Sequence, residues 1–87
     1  MTGETLALHA LEFIAADARR LRGFMAWSGV DEAGLRAGLA RPEFLAGVLA
    51  YLRLDDRWMT AAAAHCGVAP EALTRAQGQL APRSADV

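Results

Sequence analysis

An all-α fold, a compact bundle of about six short helices, is what the 87-residue sequence predicts, and three observations predict it. Alanine fills 20 positions, leucine is next and β-branched residues are few, so the propensity balance favours helix throughout. Apolar residues recur at three-and-four spacing in successive segments. Between those segments, Asp, Thr and Pro stand where helices start and Gly stands where they stop.

The first helix is predicted to begin after Thr2, whose hydroxyl can cap free N–H groups, and to bury Leu6, Ala7, Ala10, Leu11 and Ile14. Asp17 caps a second helix carrying Leu21, Phe24, Met25 and Ser28 on one face, stopped by Gly29 with Val30 beside it. Asp31 caps a short third helix, anchored by Leu35 and Leu39 and weakened by Gly34 and Gly38. Arg41-Pro42 opens the fourth, since proline suits a first helical position. Its face of Phe44, Leu45, Val48, Leu49 and Leu52 is the most apolar in the chain and marks the central helix. Asp55 caps the fifth, which runs through Trp58, Met59, Ala61 to Ala64, His65 and Cys66 to Gly67. Pro70 opens a sixth helix with Leu73 and Ala76 inward, fading near Gly78. One helical domain over 1–80 follows, with a flexible C-terminal tail over 81–87, where Pro, Ser and Asp show no pattern.

The six helices also read as two diverged three-helix repeats, 5–38 and 43–76. A shift of 38 residues aligns Asp17 with Asp55, Gly29-Val30 with Gly67-Val68, Leu11 with Leu49 and Leu35 with Leu73. The halves differ in bulk: Phe24, Met25 and Trp27 in the first stand against Ala62, Ala63 and His65 in the second. A bulky face packing on a small one accounts for this; the other reading of Ala61 to Ala64 is a shallow groove for a partner's helix.

Composition narrows the function classes. At 54% hydrophobic residues and a net charge of −1, the chain is too apolar for disorder and lacks the field that steers a protein to nucleic acid or an anionic membrane. Every Lys/Arg position is Arg, a bias that GC-rich coding explains. The start, Met1-Thr2-Gly3-Glu4, lacks the features of an export signal, and the apolar run from Phe44 to Leu52 is too short to span a bilayer. With a single cysteine, Cys66, no internal disulfide can form. A cytoplasmic protein without membrane association is expected.

No constellation for catalysis, cofactor binding or metal binding is legible. His65-Cys66 has metal-ligating atoms, but His9 is the one other histidine and the nearest carboxylates on that helix, Asp55 and Asp56, lie almost three turns away. Cys66 falls on the apolar stripe as an inert thiol, and Ser28 aligns with it in the repeat. Four residues are candidates for contact with a partner where the halves differ most: Arg20, Trp27, Trp58 and His65. Arg20 belongs to a basic cluster with Arg19 and Arg22, which reads first as a solvated face. A DNA-binding alternative rests on Ala63-x-x-x-Gly67-Val68 followed by Leu73, the spacing of a helix-turn-helix, with Thr74, Arg75 and Gln77 on the reading helix. One Arg beside Glu71 makes a weak DNA-binding face, so nucleic acid is disfavoured.

Finally, Ala10-Leu11-Glu12-Phe13-Ile14-Ala15, Arg20-Leu21, Trp27-Ser28-Gly29-Val30, Arg41-Pro42-Glu43-Phe44-Leu45 and Cys66-Gly67-Val68 together resemble a family of small all-helical alphaproteobacterial proteins, a domain of unknown function. The resemblance covers nearly everything before the tail. It implies no activity, cofactor or catalytic residue, because the matching positions are those of packing and turns. The expectation is a non-enzymatic protein–protein interaction or adaptor module, with a protein partner or a homodimer, and a helix-turn-helix-like protein using helix six as the alternative.

Overall fold

A computed structural model describes residues 2–80, all in helices and short connections: α1 (Gly3–Ala15), α2 (Ala18–Ser28), α3 (Glu32–Gly38), α4 (Pro42–Leu52), α5 (Asp56–Cys66) and α6 (Pro70–Leu80). The expected tail over 81–87 lies outside the described residues.

The starts follow from side chains that replace missing backbone partners. Thr2 Oγ1 accepts from the Thr5 N–H, Asp17 Oδ1 from those of Arg19 and Arg20, Asp31 Oδ1 from that of Gly34 and Asp55 Oδ1 from that of Arg57. Arg41 makes no side-chain cap; Pro42 at the first position, which has no N–H to satisfy, does that work for α4. Gly29 and Gly67 end α2 and α5 in the left-handed region, at φ 77° and 73°. The two stops differ in detail. Gly29 N–H bonds back to the Met25 carbonyl, whereas α5 closes with both Val68 N–H on Ala63 and Gly67 N–H on Ala64.

The core follows the apolar stripes. Leu6, Ala7, Ala10, Leu11 and Ile14 of α1 are buried, as is the α4 set Leu45, Ala46, Val48, Leu49, Tyr51 and Leu52. The most apolar helix is the hub: α4 packs against all five others. At the other end of the chain, α6 lies against α1, α4 and α5 and buries Leu73, Ala76 and Leu80. Leu80 corrects the expected fading near Gly78: the helix continues two residues further because that leucine finds the core.

The third helix also differs from expectation. Leu35 packs partly buried against the core as expected, but Leu39 is 41% exposed and does not anchor α3. Gly38 does: it is buried, and a Cβ there would overlap the Phe44 ring. The glycine that weakens this helix on propensity is the one that lets it dock on α4. The all-Ala stretch divides in two, with Ala62 and Ala63 buried and Ala61 and Ala64 exposed.

Candidate functional site

The four candidate contact residues gather into two clusters, each centred on one aromatic ring. In the first, Tyr51 near the end of α4 is buried, and its ring centroid lies 5.4 Å from each of Trp27, Trp58 and Phe24. Phe24 in turn meets Phe44 edge-on at 5.8 Å. The Tyr51 hydroxyl reaches over Gly23, where an added Cβ would stand 2.6 Å from it, so this ring needs a glycine beneath it. Burial pushes the Tyr51 hydroxyl above its ordinary pKa and keeps it neutral.

Trp27 is the outer member of this stack, braced by Tyr51 yet 49% exposed. It joins Phe24, Ser28, Val30, Phe44 and Gly47 around a shallow groove of about 360 Å³. Gly47 leaves the wall bare: a Cβ there would meet nothing within 4 Å. Trp58 is half-buried and serves as the opposite support of Tyr51.

In the second cluster the ring is Phe13, on the last turn of α1. The Arg20 guanidinium carbon lies 4.1 Å from its centroid, and Nη2 donates 2.8 Å to the Phe13 carbonyl, which has no successor in the helix to serve it. Arg20 thus closes the C-terminus of α1, in favourable relation to its dipole, with Asp17 at 3.9 Å and with Nε buried without a partner among the described residues. The solvated basic face expected for Arg20 is therefore not what the fold builds there; Arg19 and Arg22 are exposed. His65 stands 6.0 Å from the Phe13 ring, and its Nε2 is 3.2 Å from Glu12 Oε1, an oxygen that also faces His9 Nδ1 at 3.7 Å. The hydrogen bond from His65 is the main reason the Glu12 carboxyl is held below the ordinary carboxylate range.

Nucleophilic chemistry finds little support here. Burial, and then the Glu12 charge, push the Cys66 thiol up, so it stays protonated, and its Sγ lies 4.0 Å from the Leu6 carbonyl. The Ser28 hydroxyl is tied into the end of α2, donating to the Met25 carbonyl. Among the described residues no group of three or more His, Cys, Asp or Glu side chains could hold a metal ion.

On α6, Thr74 and Arg75 are exposed, whereas Gln77 accepts a 2.6 Å hydrogen bond from Arg53. Thr74 shares a shallow depression with Asp56 and Glu71. These three residues therefore do not form one free, basic face.

The sequence reading missed three features of this surface. Tyr51 lies on the buried side of α4, and nothing local shows that its ring meets Trp58 of the next helix and Trp27 of α2. Gly47 gave no signal, because a glycine within an apolar helix reads as a propensity defect. Leu8 lies one step off the α1 stripe and is 41% exposed, as is Leu39, and both line a further groove between α1 and α3.

A small all-helical domain with aromatic-centred surface clusters is the class that the fold and the site define. Residues 2–83 match the family described as protein of unknown function (DUF3572), and the chain belongs to that family. No curated protein and no solved structure gives a significant match. Among the described residues no helix is long and apolar enough to cross a membrane.

Proposed function

We propose that the chain is a non-enzymatic protein–protein interaction or adaptor module, with the groove beside Trp27 as its docking point. The observation that carries this reading is Trp27 itself. A tryptophan half in solvent, held rigid by Tyr51 and Phe24 and bordering an apolar groove, costs little further ordering when it binds. The groove suits an aliphatic or aromatic side chain from a protein partner, since Trp27, Val30 and Phe44 line it, with Ser28 and Glu43 beside them. A cytoplasmic setting belongs to the same reading, in keeping with a lone free thiol.

The two clusters favour the duplicated origin as well. The 38-residue shift carries Phe13 onto Tyr51, Arg20 onto Trp58 and His65 onto Trp27, and each central ring sits against the same two counterparts. Even the small residue agrees: the Tyr51 hydroxyl requires Gly23, whereas Phe13 has no hydroxyl and the position matching Gly23 is Ala61. On this reading one ancestral cluster became a polar clamp at Arg20 and His65 and the other an aromatic ledge at Trp27 and Trp58. The DNA-binding alternative has less support, because α6 is packed on three helices and Gln77 is already engaged.

Gly47→Leu tests the docking role without touching the core, since it fills the groove from an open position. Wild type, Gly47→Leu and Trp27→Ala are used as baits in native lysate. A protein held by the wild type and lost from both variants is the expected result; identical profiles for all three would overturn the assignment.

A further inference from the structure

The bundle leaves a second apolar groove, of about 400 Å³, between α1 and α3. Leu8, Leu11 and Ala15 form one wall, and Leu35 and Leu39 the other. Leu8 and Leu39 are two of the four large apolar side chains that are exposed among the described residues. The corresponding seam between α4 and α6 is closed, with Leu73 fully buried.

Glu32 and Arg36 stand on the α3 wall of this groove, one helical turn apart and both exposed. Spacing of this kind commonly forms an intrahelical ion pair. Here neither residue is in an ion pair among the described residues, while Glu12 on the α1 wall is held by His65. Glu32, Leu35, Arg36 and Leu39 thus form one unpartnered stripe in which apolar residues alternate with one acid and one base.

We propose that a second copy of the chain closes this groove, in a two-fold homodimer centred on α3. An isologous interface needs a patch that complements itself, and a stripe with an acid and a base one turn apart does so when run antiparallel to its own copy. Each Glu32 then meets Arg36 of the second copy, and each Leu39 enters the groove lined by the other copy's α1. A partner helix of a single charge sign would leave either Glu32 or Arg36 facing like charge; the second copy satisfies both. This surface shares no lining residue with the Trp27 groove, so the two assignments stand or fall separately.

Sedimentation equilibrium from micromolar to millimolar protein tests it, with circular dichroism to verify that each variant stays helical. The wild type is expected to show a monomer–dimer equilibrium that weakens with salt. Arg36→Glu or Glu32→Arg alone, which set like charges opposite each other, are expected to weaken it by at least about tenfold. The double exchange Glu32→Arg with Arg36→Glu restores it, while Gly47→Leu leaves it unchanged. A monomer at millimolar concentration, or a dimer indifferent to the single exchanges or not recovered by the double one, would overturn the proposal.

Discussion

Asp17 and Asp55 show how single residues punctuate this chain, and their chemistry fixes how the fold responds to acid. The backbone N–H groups of Arg20 and Arg19 hold the Asp17 carboxyl below its ordinary value, and the Arg57 side chain and N–H do the same for Asp55. A carboxyl whose pKa is lowered on folding contributes stability above its unfolded pKa, near about 3.9, and loses that contribution as pH falls through the folded value. The melting temperature is therefore expected to be flat from neutral pH down to about pH 5 and to decline below about pH 4. Asp17→Asn keeps an acceptor for the cap but not the charge, so its thermal melts should show a shallower acid decline than the wild type. Arg20 shows a limit of reading at this scale. Three arginines on one helix look alike in sequence, and only the turn between α1 and α2 brings Arg20, and neither Arg19 nor Arg22, over the Phe13 ring and its carbonyl.

At the scale of elements, periodicity and caps carried the boundaries. The α1 stripe, the Pro42 start and the two left-handed glycines all fall where local chemistry requires them. Glycines inside helices were not legible, because their meaning lies in what approaches from another helix. Gly38 admits the Phe44 ring, while Gly47 faces open space. Opposite effects follow from the same substitution. Gly47→Ala is expected to stabilise by about 0.8–1 kcal/mol, the gain in helix propensity. Gly38→Ala is expected to destabilise by about 1–3 kcal/mol, since the overlap must be relieved by shifting Phe44 or α3. Denaturant unfolding of the two variants checks both signs. The same limit applies to α3: Leu35 and Leu39 share a core-like spacing, yet Leu35 packs against the core while Leu39 stays exposed at the α1–α3 groove, and the chain reaches α4 through Gly38.

For the whole molecule, the fold class and the central place of α4 were readable because hydrophobic burial follows the strongest apolar stripe. The surface was readable only in part. Trp27, Trp58, Arg20 and His65 were legible as residues where the halves differ, yet their division into an aromatic ledge and a polar clamp depends on which ring each one meets across the bundle. In the proposed docking role Tyr51 would brace Trp27 and Gly47 would leave room beside it. The central claim is that a protein partner binds there. Site-specific photo-cross-linking in native lysate tests it most directly, with the reactive amino acid at position 43 on the rim of the Trp27 groove or at position 71 beside Thr74. A discrete adduct from position 43, absent from position 71 and lost when Gly47→Leu is added, is the predicted result. No adduct from position 43, or the same adducts from both positions, would contradict it.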